Sequence, residues 1–388
     1  MDYRIKGGRV FDPDFVFRKH DVCIKDGVFA GNSEVSGDPE ADRGVQVIDA
    51  GNLWVIPGLT DIHFHGCLGH DLCEGDPEVI GLMAGYEEKR GVTTICPATM
   101  TLDEDRLMDI MRAVGRYENE SGAFLSGVCL EGPFISKEKC GAQDPAFIKD
   151  PDVSLFMRLQ EASGHRIRIV TLAPEAKGAE RFIKELRHRV LISFGHSAAD
   201  HDRAAWAFEN GVRHMTHAWN AMEPVDHRAP GPVIAAAENP FVSAELICDG
   251  VHIHPAVVRS SIKLFGEDRI IFISDSMEAA GMPDGEYELG GQAVIKKGNE
   301  ARLRDGTIAG SASDLMDCMV NAVRKMGISL ETAVRCSAVN PAKSIGFYDK
   351  TGSIEEGKAA NLAILNEDLQ LIRVISRGRQ VFMSDMGE

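Results

Sequence analysis

Eight short apolar runs, each long enough for a β-strand, recur along the middle of the chain with helix-like stretches between most of them. They cover residues 59–64, 92–96, 124–130, 167–172, 190–194, 214–216, 241–247 and 270–274. Strands that alternate with helices imply a parallel sheet, and eight such units close into a (β/α)8 TIM barrel. The helical stretches carry their own punctuation. Asp76-Pro77, Asp150-Pro151 and His254-Pro255 put proline at a first helical position. Ser197 with Asp200, and Ser311 with Asp314, read as N-caps followed by an acid three residues on. Gly91, Gly211 and Gly266 stand where a helix-ending glycine belongs. The structural competitor is an open doubly wound sheet, but no Gly-x-Gly-x-x-Gly follows an early strand.

Both ends of the chain have a different texture. Residues 3–5, 10–11, 21–24, 28–30 and 46–49 read as short strands separated by turn signals. The pattern returns at 352–354, 360–365, 371–376 and 381–383. A small β-sandwich domain made from residues 1–56 and 346–388 is expected, flanking a barrel over 57–345. The Gly-rich, charged stretch 285–310 breaks the alternation and reads as a β-hairpin insert over the barrel mouth.

The ionisable residues fall at the ends of the barrel runs. His63 and His65 end the first run, preceded by Asp61. Glu131 follows the third, His196 the fifth, His217 the sixth, Asp249 and His252 the seventh, and Asp275 the eighth. All strand C-termini of a barrel open on one face, so these residues converge at one mouth, where barrel active sites lie. Imidazole suits zinc and iron, and a carboxylate can bridge two ions. The i, i+2 spacing of His63 and His65 places both on one face of a strand. A His-x-His alone is a weak signal, often only a polar strand end. The gathering of acids and imidazoles at strand ends is what points to a divalent metal. His20, His165, His188 and His201 read as solvated surface, His214 as a lining of the sixth strand, and Cys67 and Cys73 as buried thiols.

Charge and cysteine usage narrow the function. A formal charge of -17 argues against a nucleic-acid surface. It leaves room for an anionic small substrate, which one arginine or a set of backbone N–H groups can hold. Nine cysteines without a C-x-x-C pair fit reduced thiols in a cytoplasm. No signal-peptide core is evident at the start, and no apolar run reaches the roughly 18 residues of a membrane span.

At these residues the chain resembles the amidohydrolase superfamily, and within it the deacetylases of N-acetylglucosamine 6-phosphate. The likeness covers nearly the whole chain. It rests on Pro57-Gly58-Leu59-Thr60-Asp61-Ile62-His63-Phe64-His65-Gly66, Leu130-Glu131-Gly132-Pro133-Phe134, Gly195-His196-Ser197 and Thr216-His217 with Asn220-Ala221-Met222. Asp249-Gly250-Val251-His252, Ser274-Asp275, Ala309-Gly310-Ser311, Asn340-Pro341-Ala342 and the run Gly352-Ser353-Ile354-Glu355-Glu356-Gly357-Lys358-Ala359-Ala360-Asn361-Leu362 extend it. The resemblance implies Glu131, His196 and His217 as principal metal ligands. It implies a second metal site from His63 and His65, Glu131 bridging, with Asp275 at the metals as catalytic acid/base. Ala142, Gln143, Asn220, Ala221, Arg228 and His252 would contact the sugar phosphate, Arg228 and His252 reaching across a homodimer interface. The Ile308, Ala309, Gly310, Ser311 turn would line the same pocket. One or two divalent ions per subunit, zinc or else iron, would activate water against the acetyl carbonyl.

Two departures stand out. Gln143 occupies a position where the family often carries histidine, and Trp219 brings bulk beside Asn220. They leave the galacto epimer open as substrate. A cyclic-amide hydrolase of the dihydroorotase type is the alternative on the same barrel, but no lysine ends the fourth run, where Leu172-Ala173-Pro174-Glu175 stands. A non-catalytic scaffold would have lost ligands that this chain keeps.

Overall fold

The computed structural model describes residues 2–31 and 44–385; of the expected end segments, residues 1, 32–43 and 386–388 lie outside the described residues. All eight barrel runs form strands, at Leu59–Asp61, Val92–Ile95, Phe124–Leu125 with Val128–Leu130, Ile167–Leu172, Leu191–Phe194, His214–Met215, Ser243–Ile247 and Ile270–Ile273. Neighbours pair in parallel and in chain order, curling into a (β/α)8 barrel. The eighth strand returns to the first, where the Asp275 N–H donates to the His63 carbonyl at 2.9 Å.

The third run is two strands because Gly127 interrupts it. A Cβ there would lie 2.4 Å from the Arg166 carbonyl oxygen, so only glycine passes that close to the fourth strand. The first strand is shorter than the alternation implies. It ends at Asp61, and His63 and His65 lie in the segment beyond it.

Helix starts follow the side chain that reaches a free N–H. Asp76 and His254 cap as expected, each with proline at the first turn. At the other three starts the cap is the later residue. Asp152 accepts from Ser154, Asp200 from Arg203, and Asp314 from Asp317. Pro151 therefore precedes its helix, Val153–Ala162, by two residues. Ser197 donates instead to Glu175 Oε2 at 2.7 Å, and Ser311 caps nothing but the turn to Ser313.

The chain ends build one β domain. Its path runs Arg379–Met383, Leu371–Ser376, Leu362–Leu365, Trp54–Pro57, Asp2–Phe11, Phe17–Lys25, Val28–Ala30. Trp54–Pro57, a strand not apparent in the sequence, joins the two termini by pairing antiparallel with Leu362–Leu365. The two short runs at 3–5 and 10–11 are one strand, bulged at Gly7, whose N–H donates to Asp21 Oδ1. The strands share one continuous sheet that returns on itself through the Val28–Ala359 bridge. It encloses its own core of Tyr3, Ile5, Ile24, Val55, Leu362 and Ile375. Residues 352–354 form a bend rather than a strand.

A second apolar cluster, with Ile62, Cys96, Cys129, Ile169, Ile247, Ile271 and Ile273, fills the barrel interior and packs against Ile345 and Phe347. The 285–310 stretch forms three antiparallel strands, Gly285–Leu289, Gln292–Lys297 and Glu300–Leu303, one more than a hairpin. Gln292 Nε2 donates to the Ala142 carbonyl and ties this sheet to the barrel mouth. All nine cysteines are free. Among the described residues, no helix is long and apolar enough to cross a membrane.

Candidate active site and metal centre

Three residues at the barrel mouth have left-handed backbones: His196 at φ 46°, His217 at φ 25° and Asp275 at φ 49°. Such conformations cost of order 1–3 kcal/mol for a side-chain-bearing residue and collect at functional sites. Two of them also redirect a side chain. Ile192 and Phe194 of the fifth strand, and Met215 of the sixth, belong to the core outside the barrel interior. Strict alternation would send His196 and His217 outward with them, yet both rings turn into the mouth.

There they meet Glu131. His196 Nε2 and His217 Nε2 lie 3.2 and 2.9 Å from Glu131 Oε1, and 3.1 Å from each other. His63 Nε2 approaches the same oxygen at 3.3 Å. His65 Nε2 lies 3.4 Å from Glu131 Oε2 and 3.3 Å from Asp275 Oδ1. The two carboxylate oxygens of Glu131 thus face different histidines. Possible donor sets group as His63, Glu131, His217 and as His63, His65, Asp275.

The donors fit a divalent cation. His196 Nδ1 bonds the Lys139 carbonyl at 2.8 Å, a bond only an N–H can make, so in the neutral ring Nε2 carries the lone pair. It points at a second imidazole nitrogen and a carboxylate oxygen. His63 Nε2 is buried with no hydrogen-bond partner. Nitrogen and carboxylate donors in this mixture suit zinc or iron. Burial opposes ionisation of Glu131, but positive charge on His63, whose Nε2 lies 3.3 Å away, holds it well below the usual carboxylate range. Burial also opposes ionisation of Asp275, which the His65 hydrogen bond and the charges of His63 and His65 hold low.

A cavity of about 240 Å³ opens over these groups. Of the residues expected to contact substrate, Ala142, Gln143, Asn220, Ala221, His252, Ile308 and Gly310 line it. Ala309 and Ser311 do not: both are fully buried behind the lining. The Ser311 N–H donates to the Asp275 carbonyl at 2.7 Å, so this residue holds the Asp275 backbone in place. His252 lines the cavity of its own chain, so it needs no second subunit to reach it. Its Nδ1 bonds Asp249 Oδ2 at 2.8 Å. Arg228 is exposed, in a separate cavity of about 330 Å³ beside Asp200, Glu223 and Asp226. Among the described residues, no lysine or arginine lines the 240 Å³ cavity.

The two departures resolve differently. Gln143 Nε2 donates to Glu131 Oε2 at 2.7 Å, and its oxygen accepts from the Thr101 N–H at 2.6 Å. Its amide is thereby tied to the Glu131 carboxylate. Trp219 leaves the cavity: its ring N–H donates to Ser261 Oγ at 2.9 Å on the Pro255–Phe265 helix.

Sequence reasoning missed Met100, Gly141, Leu289 and Thr307 in the lining. It also missed Glu245, wholly buried in the seventh strand. The signal was present: an acid between Ala244 and Leu246 in a buried parallel strand is costly unless partnered.

Strand-end imidazoles and carboxylates around one cavity of a closed (β/α)8 barrel define a metal-dependent hydrolase. This chain belongs to the amidohydrolase family, whose model matches residues 54–381. It is 37% identical to the N-acetylglucosamine-6-phosphate deacetylase of Bacillus subtilis (strain 168), covering 85% of each chain. It is 30% identical to the N-acetylgalactosamine-6-phosphate deacetylase of Escherichia coli O157:H7, over 98% of this chain and 99% of that one. Its structure is similar, with a TM-score of 0.89, 30% identity and 99% of each chain covered, to N-acetyl-D-glucosamine-6-phosphate deacetylase from Mycobacterium smegmatis in complex with N-acetyl-D-glucosamine-6-phosphate.

Proposed function

We propose that this chain hydrolyses the N-acetyl group of N-acetylglucosamine 6-phosphate, giving glucosamine 6-phosphate and acetate. The observation that carries the reading is Asp275 facing His65 across from Glu131, His196 and His217 in one cavity, with His63 buried behind them. Glu131, His196 and His217 would hold one divalent cation, and His63 and His65, with Asp275, a second, Glu131 spanning both. Zinc is the ion proposed, iron the alternative. A cation bound there acidifies water and polarises the acetyl oxygen.

The remaining work falls to side chains. Asp275 accepts a proton from water as its oxygen attacks the acetyl carbon. It then returns that proton to the nitrogen as the C–N bond breaks, because an amine leaves poorly as an anion. Gln143 keeps Glu131 oriented, and His252 offers a donor toward the sugar phosphate. The phosphate also needs a fixed cation, and Arg228 of a second copy would supply it, as a charge-assisted pair, in a homodimer. Among the described residues, those that line the cavity include no lysine or arginine, which supports this. Residues 1–56 with 346–388 would form the small β domain and 57–345 the barrel, and the free cysteines favour a cytoplasmic site.

Similarity to the Escherichia coli protein over nearly the whole chain favours the galacto epimer as a second reading. A cyclic-amide hydrolase is disfavoured: Glu175, just past the fourth strand, is engaged by Ser197 and Ala198. The test is acetate release from both N-acetylhexosamine 6-phosphates by metal-loaded protein. The higher kcat/KM names the substrate, and no release from either sinks the proposal.

A further inference from the structure

At the centre of the barrel an ionisable chain runs where apolar side chains usually pack. Glu245 and His214 are both fully buried. Glu245 Oε2 lies 3.1 Å from His63 Nδ1 and accepts the His217 backbone N–H at 3.0 Å. Its Oε1 lies 2.9 Å from His214 Nε2. His214 Nδ1 in turn meets Ser344 Oγ at 3.2 Å, on the short Asn340–Ser344 helix.

The donor directions follow from the atoms. An ionised carboxylate only accepts, so His63 Nδ1 and His214 Nε2 must each carry a proton. A neutral His214 then accepts at Nδ1 from the Ser344 hydroxyl. A neutral His63 with its proton on Nδ1 presents a lone pair at Nε2, the atom 3.3 Å from Glu131 and 3.7 Å from Asp275. Burying a carboxylate is expensive, and a well-packed apolar residue is often the more stable choice. Packing alone therefore does not account for Glu245. By contrast, His65 Nδ1 and His217 Nδ1 are buried without any such partner.

We infer that Glu245, held in place by His214, is a positioning residue that fixes the His63 tautomer and orientation and so sets the affinity of the cation site built on His63, His65 and Asp275. This rests on the metal-site reading above, and its test is read without turnover. Carboxylates that orient metal-bound histidines typically contribute 10–100-fold to metal affinity. Glu245→Gln would set an amide N–H or a weaker acceptor against His63.

Histidine-labelled full-length protein, metal-free, is read by nitrogen-15 NMR on the alkaline side of the His63 titration, which Glu131 and Glu245 push well above the ordinary imidazole range, with His63 assigned from His63→Asn. The expected result is an Nδ1–H tautomer for His63 that is lost or mixed in Glu245→Gln. Zinc titration against a competing chromophoric chelator should show the weakest resolved binding step loosened by about 10–100-fold in Glu245→Gln. His214→Asn, which removes one bond to Glu245 and leaves the carboxylate in place, should shift both readouts the same way but less. It serves if Glu245→Gln does not fold. An Nε2–H tautomer in the unsubstituted protein, or unchanged zinc binding in the folded variants, overturns the inference. Failure to release acetate would overturn the proposed substrate and leave both readouts intact.

Discussion

His65 Nε2 lies 3.3 Å from Asp275 Oδ1, which places the proposed proton carrier against one of the imidazoles proposed to hold a metal. Asp275→Asn keeps the side chain's shape and removes its basicity. General acid–base groups contribute about 10²–10⁴-fold, so kcat should fall by that order with KM little changed. Steady-state assays of acetate release, run beside metal analysis, separate this from simple loss of metal.

The His252–Asp249 pair sets a pH dependence. Burial would lower the His252 pKa, but the hydrogen bond to Asp249 and its charge raise it above the ordinary value. His252 is thus cationic at low pH and loses its charge as pH rises through that raised value. KM for the phosphorylated substrate should climb on the alkaline side. In Asp249→Asn the climb should begin at lower pH, and in His252→Asn it should vanish. KM measured across about pH 6 to 9 decides this.

Glu87, in the Pro77–Lys89 helix, is fully buried, and neither of its carboxylate oxygens has a hydrogen-bond partner. Burial, then the charges of Asp314 and Asp61, push its pKa well above 4.5. The folded chain therefore keeps this proton where the unfolded chain has released it. Stability falls as pH climbs above about 4.5, by about 1.4 kcal/mol per pH unit until the folded-state carboxyl itself ionises. Glu87→Gln should raise Tm at pH near 8, with the gain shrinking toward acid pH, as thermal melts across pH would reveal.

Gly132 follows Glu131 at φ 85°, and a Cβ there would stand 1.9 Å from Thr101 Oγ1. Gly132→Ala should cost on the order of 1–3 kcal/mol in backbone strain alone and displace Glu131. The disturbance reaches Gln143 as well, because the Thr101 N–H holds its amide oxygen. Lower Tm together with lower bound metal is expected. Adding Thr101→Gly should recover part of both, since it removes the clash and leaves the left-handed backbone.

Much of this was legible without coordinates. The eight strand runs, the cap at Asp76 and the strand-end placement of Glu131, His196, His217 and Asp275 all follow from periodicity and residue type. The misses have physical causes. Asp200 and Asp314 outcompeted Ser197 and Ser311 as caps because their carboxylates reach the third N–H of the helix. Trp219 found a hydroxyl on a neighbouring helix and left the pocket.

Alternation of apolar runs is a local property, so the sequence by itself determined the barrel, its order of strands and the face on which the chemistry collects. Tertiary structure alone decided which way each side chain points and which proton it holds. Left-handed turns at His196 and His217 reverse the direction that strand periodicity assigns them. Glu245 meets His63 across 182 positions of chain only because the barrel closes. A hydrogen bond between residues so far apart leaves no periodic trace, since its energy depends on distance in space and not on spacing along the chain.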